Sequence, residues 1–246
     1  MSEETLTINS PIVFDDSIAH CEVHAHQPYA SATFNNNDEI RIAIQHQDLC
    51  LLPSKSSLHI YGRLTKADGN TPVASTQLVT NALCYLFEEI RYELNSIKIN
   101  RCENVGHTTV MKNYLSRNPS QSLLMENAGW FNNDTDAARI LDNQGYFDVF
   151  IPLNMILGFA EDYRRIIVNA KHELILTRSN VDTNAIIQTA PEDFKFTLQK
   201  IEWMVPYIRV SDARKVALLN YISKDPSIRM GYRLWKIYEY PMLPTT

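Results

Sequence analysis

The stretch HCEVHAH, from His20 to His26, combines three histidines with a cysteine and a glutamate. Imidazole, thiolate and carboxylate groups are the usual protein ligands of Zn²⁺ and related metals. In an extended strand every second side chain lies on the same face, so the residues at even positions would form one row. That row consists of His20, Glu22, His24 and His26. It raises the question of a metal site and of a metal-dependent enzyme.

Cupins are jelly-roll enzymes that bind metal through an HxH pair and a glutamate three or four residues further along. In this chain Tyr29 and Ala30 occupy those two positions, and the glycines that frame the cupin motif are missing. We therefore assign no metal ligand here. A cupin-like metal-dependent enzyme that uses His24 and His26 is kept as an alternative.

The preferred interpretation of the row is a polar strand surface, exposed or at an interface. The opposite face of the strand would then enter the core through Cys21, Val23 and Ala25. Because histidine titrates near pH ~6.5, an interface lined by this row would respond to pH.

For the other candidate catalytic groups, the sequence favours a structural role over a catalytic one. Glu88 and Glu89 are neighbours on a predicted helix, so their side chains diverge and form no acid–base pair. Cys84 falls among the apolar positions of the same helix, which favours packing. The sequence contains no Gly-rich phosphate loop and no GxSxG motif. We assign no catalytic residue and no cofactor, and we predict a protein that is not an enzyme.

Composition narrows the possible partners. The net charge of −5 and the scattered Lys and Arg residues argue against a specific nucleic-acid partner. No apolar run approaches the ~18 residues of a membrane-spanning helix, so we expect no membrane partner. The four cysteines form no CxxC pair, and no classical signal for secretion begins the sequence. We expect free thiols and a location in the cytoplasm or nucleus.

Alternation of apolar and polar residues predicts strands along most of the chain. The segments are 19–25, 39–44, 56–64, 91–99, 146–153, 164–178, 194–208 and 228–234. Helical spacing predicts helices within 73–90 and from Ser211 to Ile222, with two weaker patches at 108–117 and 120–128. No strand–helix–strand rhythm occurs. The predicted fold class is all-β, a jelly-roll β-sandwich with inserted short helices.

This pattern also predicts the domain organisation. Residues 1–17 form a loose N-terminal arm, and 18–246 form one jelly-roll domain. Within that domain, the mostly polar residues 103–145 form a long excursion from the sheets, and 228–246 form a C-terminal tail.

Large aromatic residues concentrate in the tail and recur in the excursion. Because tyrosine and tryptophan are enriched at protein interfaces, we predict interface residues in both regions. They are Trp235, Tyr238 and Tyr240 in the tail, with Tyr114 and Trp130 in the excursion.

Six blocks of the sequence, in order, resemble the double jelly-roll major capsid proteins of Polinton (Maverick) elements and adintovirus-like viruses, found as integrated virus-like genes in animals. The first three are DEIRI at 38–42, LPSKSSLHIYGRL at 52–64 and LFEEIRYELNSIKINRCENVGHTTVMKNYLS at 86–116. The others are NAGW at 127–130, FDVFIPLNMILGFAEDYRRIIVNAKHELILTRS at 147–179 and RLWKIYEYPMLPTT at 233–246. Together they span about residues 18–246.

The resemblance implies a structural protein with two tandem jelly rolls, three copies of which form a pseudo-hexagonal capsomer. In that family the block at 233–246 leads into the second jelly roll, whereas this sequence stops at Thr246. We therefore expect the first roll and a tail that leads towards an absent second one, as an excised domain or as a product that has lost it.

The expected partners are other copies in a homo-oligomer such as a trimer, other capsid-like subunits, or a protein that covers the C-terminal tail. The implied location is the virion or the host cytoplasm or nucleus. The alternative function is a domesticated, virus-derived binding module for a protein partner, which would be monomeric or a small oligomer.

Overall fold

The computed structural model describes residues 18–29, 33–45, 50–71 and 75–238. The strands are β1 (Ile18–His26), β2 (Glu39–Ile44), β3 (Cys50–Leu51), β4 (Ser57–Thr65), β5 (Thr76–Leu78), β6 (Phe87–Leu94), β7 (Ile97–Glu103), β8 (Tyr146–Pro152), β9 (Ile167–Val168), β10 (His172–Arg178), β11 (Ile186–Gln188) and β12 (Lys195–Val210). The α-helices are α1 (Ala82–Tyr85), α2 (Val105–Ser116), α3 (Pro119–Leu123), α4 (Asp134–Ala137), α5 (Leu153–Ile156), α6 (Gly158–Asp162) and α7 (Asp212–Ile222). The predicted N-terminal arm lies outside the described residues.

Two antiparallel sheets provide most of the structure. In the first sheet the strand order is β8-β4-β12-β3-β9, with β1 paired to β12. In the second the order is β2-β10-β6-β7, and β5 and β11 form a small separate ladder. The inner faces of the large sheets share one core, in which Tyr92 of β6 meets Trp203 of β12 edge to face, with ring centroids 6.1 Å apart.

The position of β1 follows from the register of its neighbours. Residue Tyr207 of β12 is paired both with Leu51 of β3 and with Glu22 of β1. Because a strand has only two edges, β1 and β3 lie on opposite sides of β12. In the described part of the chain β1 is therefore an edge strand of the first sheet.

The period-two patterns identified the sandwich correctly. In β2, Ile40, Ile42 and Ile44 are buried, and their alternate neighbours are more exposed. The predicted all-β jelly-roll sandwich with short helices is confirmed, since both large sheets are antiparallel and helices are inserted between their strands.

The helix predicted within 73–90 is wrong for most of its length. The structure has the strand β5, one helical turn (α1) and then β6, where Glu88 and Glu89 lie. Pairing of β6 with both β10 and β7 buries Ile90, Tyr92 and Leu94 on one face, and this outweighs the helical spacing of the sequence.

Two predicted strands also differ from the structure. The run 164–178 is divided into β9 and β10 by a turn in which Asn169 has a positive φ of 52°. Residues 228–234 have no regular secondary structure. Tyr232 contacts strand β7, and Arg233 contacts helix α6.

Candidate assembly surfaces

Residues 228–238, called the C-terminal segment here, follow α7 and lie across α6 and β7. The hydroxyl of Tyr232 donates a hydrogen bond to the carbonyl of Ile99 at 2.7 Å. The ring of Tyr232 also meets Phe159 of α6 edge to face, with centroids 5.2 Å apart. These two contacts hold the segment on the sandwich.

An arginine–carboxylate pair fixes the same segment more tightly. Both the backbone N–H and the Nε of Arg233 donate to Oδ2 of Asp162 at 2.9 Å, and its Nη2 donates to Oδ1 at 2.7 Å. These hydrogen bonds hold the pKa of Asp162 below its usual value. Since main chain and side chain reach one carboxylate, the direction of the chain at this point is determined.

The predicted tail residues have different environments. Trp235 is half-buried, and its indole Nε1 is enclosed with no acceptor among the described residues. Tyr238 is 72% exposed, so its ring is accessible to a neighbour. Tyr240 lies outside the described residues. The interface role of these three residues stays a prediction.

Helices α2 and α3 expose a group of large apolar side chains, which we call the α2–α3 apolar surface. Its members are Met111, Tyr114, Leu115, Leu123 and Leu124. Leu115 is 79% exposed and Leu124 is 80% exposed. Met111 and Leu115 are four residues apart on one helix, so they lie side by side. Clusters of exposed large apolar side chains often mark interaction surfaces.

Trp130 requires a correction. Its side chain is 1% exposed, so it belongs to the core and presents no surface to a partner. The Tyr114 ring packs against it at 5.1 Å between centroids with an interplanar angle of 61°. Trp130 thus supports Tyr114 from within the chain, and the exposed Tyr114 is the residue available for contact.

The faces of β1 are the reverse of those predicted. Directly paired residues in an antiparallel ladder point to the same face, and His26 and His24 are paired with the buried Trp203 and Val205. The histidine row therefore lies on the core side of the first sheet. The predicted core residues Cys21, Val23 and Ala25 lie on its outer side, and all three are exposed because β1 is at the sheet edge.

The side chains of the histidine row contact one another and Tyr207. Glu22 Oε1 lies 2.8 Å from His24 Nε2, and Glu22 Oε2 lies 3.4 Å from His20 Nε2. The hydrogen bond from His24, with a smaller contribution from His20, lowers the pKa of Glu22. His26 shares a 2.7 Å hydrogen bond with the hydroxyl of Tyr207. Within the described ranges, no three or more His, Cys, Asp or Glu side chains are arranged to hold a metal ion.

The remaining chemical candidates are structural in this geometry. Cys84 is buried, and burial raises its pKa to about 12, so its thiol stays protonated at neutral pH. Glu89 forms an ion pair with Arg91 at 2.9 Å on the same strand. The Cys84 thiol therefore lacks the thiolate form of a nucleophile, and the Glu89 carboxylate is held by arginine side chains.

The sequence interpretation missed the residues that anchor the C-terminal segment. Asp162 is close in sequence to Arg164 and Arg165, whereas its partner in the structure is Arg233. The two residues of this pair are 71 positions apart. No local sequence signal connects them.

The chain is thus an antiparallel jelly-roll sandwich whose inserted helices expose apolar side chains. The family model for the double jelly roll-like domain matches residues 76–246 of the sequence, so the chain belongs to that family. No curated protein matches the chain by sequence. No helix in the described part of the chain has the length and apolar character needed to cross a membrane.

Solved viral structures share this fold. The chain is similar to the Faustovirus major capsid protein, with a TM-score of 0.56, 10% identity, and coverage of 87% of this chain and 58% of that one. It is also similar to PBCV-1 VP54, as fitted into a cryo-EM reconstruction of the virophage Sputnik. For that match the TM-score is 0.53 and the identity 11%, covering 86% of this chain and 47% of the other. The chain therefore spans about half the length of these viral proteins.

Proposed function

We propose that the chain is a capsid-type structural protein that acts by self-association and not by catalysis. The observation that carries the proposal is the shared fold with the Faustovirus major capsid protein across 87% of the chain. The six sequence blocks that resemble Polinton and adintovirus-like capsid proteins support the same function. The expected assembly is a homo-oligomer such as a trimer, or an oligomer with other capsid-like subunits.

The α2–α3 apolar surface supplies a driving force for association. Burying one leucine or similar side chain that was exposed to water contributes roughly 1.5–3 kcal/mol. Leu115 and Leu124 are almost fully exposed in the single chain, so a neighbour that covers them removes much apolar area from water. Tyr114 adds a rigid amphipathic ring beside them.

The C-terminal segment is the second proposed contact. Its path is held by Tyr232 and Arg233, so the exposed ring of Tyr238 is presented at a defined place on the sandwich. A preorganised segment loses less conformational entropy on binding than a free one. We propose that a neighbouring subunit, or another protein partner, covers this segment.

Solution mass by light scattering, over a range of protein and salt concentrations, tests the proposal. We expect the mass to rise with concentration towards an oligomer. The double variant Leu115→Glu/Leu124→Glu should weaken association at least tenfold, because it places charges on the contact. The control Val181→Glu changes an exposed apolar residue outside this surface and should leave the mass unchanged.

A chain that stays monomeric at high concentration would contradict self-association. That result would favour the alternative of a domesticated binding module, which predicts one tightly bound protein partner. Equal association by the wild type and the double variant would instead remove the α2–α3 surface from the proposal.

A further inference from the structure

A polar cleft lies between the α2–α3 junction, helix α6 and the 3₁₀ turn Pro53–Lys55, which precedes β4. Its volume is about 500 Å³. Small-molecule sites in proteins commonly have volumes of roughly 300–1,000 Å³. Leu52 and Ala160 are the apolar residues among the described lining, and the other lining residues are polar or charged. The cleft is therefore large enough for a small ligand, and its chemistry suits a polar one.

The charged side chains of this cleft are mainly positive, although the chain as a whole carries a net charge of −5. Lys55, Arg117 and Arg164 line it, and Glu161 is the single carboxylate among the described lining residues. The three cations come from the 3₁₀ turn, from the end of α2 and from the residues that follow α6. Because they converge on one small cavity, their combined field attracts an anion.

The carboxylate of Glu161 is already engaged by cations from outside the described lining. Its Oε2 lies 3.1 Å from Nζ of Lys112, and its Oε1 lies 3.5 Å from Nη2 of Arg233. The Lys112 side chain is 1% exposed, and it also donates to the carbonyl of Asn154. Since Glu161 is shared with these partners, it does not neutralise the three cations that line the cleft.

Arg117 is held in place by neutral groups. Its Nε donates to Oδ1 of Asn113 at 2.7 Å, and its Nη2 donates to Oδ1 of Asn154 at 3.5 Å. Burial lowers the pKa of Arg117, because removal from water disfavours the charged form, and the charge of Glu161 offsets this only in part. An anion beside the guanidinium would favour the charged form further.

Phosphate is the anionic group that these residues fit best. The planar guanidinium of arginine matches phosphate oxygens with paired N–H donors, and lysine adds a compact charge. Ser116 and Gln121 add neutral hydrogen-bonding groups to the lining. The small apolar contribution of Leu52 and Ala160 offers little to a base or an acyl chain, so a compact ligand fits better than a large one.

We propose that this cleft binds a compact anion with two or more phosphate groups, held by Lys55, Arg117 and Arg164. The inference goes beyond the proposed self-association and does not depend on it. Inorganic polyphosphate and the phosphate tail of a nucleotide share this chemistry, and the experiment separates these two sources.

Isothermal titration calorimetry of the full chain with tripolyphosphate, at low ionic strength and without divalent cations, tests the proposal. We expect one saturable site per chain. Lys55→Met/Arg164→Met removes two exposed cations and should weaken binding at least about tenfold without disturbing the fold. Arg117→Met should weaken binding to a similar extent. If its lost hydrogen bond to Asn113 also lowers the thermal stability, the double variant remains an independent test.

Two controls define the specificity. Lys224→Met/Arg229→Met also removes one exposed lysine and one exposed arginine, at positions outside the cleft lining, and should bind tripolyphosphate as the wild type does. Citrate carries three carboxylates and no phosphate, and it should bind at least about tenfold more weakly. ATP is compared with tripolyphosphate. Tighter binding of ATP would identify a nucleotide as the source, and equal or weaker binding would identify inorganic polyphosphate.

Three results would overturn the phosphate site. The first is the absence of saturable binding at millimolar tripolyphosphate. The second is an equal loss of affinity in the test and control double variants, which would show that overall charge and not the cleft determines binding. The third is binding of citrate as tight as that of tripolyphosphate, which would make this a carboxylate site. None of these results bears on self-association, which is measured separately by solution mass.

Discussion

The carbonyl oxygen of Arg233 packs directly over Gly158, the first residue of α6. A β-carbon at position 158 would overlap this oxygen, and it would also approach Cδ1 of Trp235 at 3.4 Å. Glycine is therefore required for the C-terminal segment to lie where it does. The same close approach brings Arg233 to Asp162 on the last turn of this short helix.

Gly158→Ala should displace the C-terminal segment. The added methyl group meets backbone and not a flexible side chain, so we expect a loss of stability of about 1–3 kcal/mol. Hydrogen–deuterium exchange of residues 228–238 should increase, and the fluorescence of Trp235 should shift towards that of a solvent-exposed indole. Gly231→Ala is the control, since nothing lies within 4 Å of a β-carbon there. Unchanged exchange in Gly158→Ala would contradict the packing.

Arg178→Met should be strongly destabilising. The buried guanidinium donates from Nη2 to both carboxylate oxygens of Asp182 at 3.1 Å and from Nη1 to the carbonyl of Leu86. Its removal leaves a largely buried carboxylate without its cation, which costs about 3–5 kcal/mol. Urea unfolding measures the difference.

The control for Arg178 is Arg139→Met. Arg139 pairs with Asp136 at 3.1 Å, but its side chain is 66% exposed. An exposed ion pair contributes at most about 1 kcal/mol. Equal losses in the two variants would show that burial does not determine the effect.

His172 should make the fold sensitive to acid. Burial lowers its pKa from 6.5 to about 4, and its Nδ1 lies 2.7 Å from the hydroxyl of Tyr92. The folded protein therefore keeps His172 neutral at a pH where the unfolded chain protonates it. The contribution of neutral His172 to the free energy of unfolding is complete above pH 6.5. It decreases as the pH falls from 6.5 towards 4, and it is lost below pH 4. The loss amounts to about 3 kcal/mol.

The variant His172→Gln measures this contribution. Glutamine does not titrate, so unfolding free energies at several pH values should fall less steeply for the variant than for the wild type. The control His107→Gln removes an exposed histidine and should follow the wild type. Parallel curves for His172→Gln and the wild type would refute the assignment.

The cysteines should differ sharply in reactivity. Cys21 is exposed, whereas burial raises the pKa of Cys50 and brings those of Cys84 and Cys102 to about 12. Because the thiolate is the reactive form, a thiol reagent at mildly alkaline pH should label Cys21 rapidly. The others should react only on unfolding. Cys21→Ser should abolish the rapid phase, and a rapid phase that persists would contradict this placement.

Whether a structural feature can be predicted from the sequence depends on how far apart the interacting residues lie along the chain. Alternation in segments such as Glu39–Ile44 reports burial of one strand face directly, so the sandwich class was predictable. The helical spacing around Leu83 and Leu86 predicted a longer helix than α1. Only the neighbouring strands, β10 and β7, decide that Phe87–Leu94 is extended.

The sequence by itself determined the all-β class, the family resemblance and the aromatic character of the tail, because these properties reside in local patterns and in ordered blocks. Tertiary structure alone decided that Trp130 is core, that Arg233 binds Asp162, and which way the histidines of HCEVHAH point. That direction depends on the register between β1 and β12, in which His26 is paired with Trp203 and His24 with Val205. A one-residue shift of that register would turn every side chain of β1 to the other face.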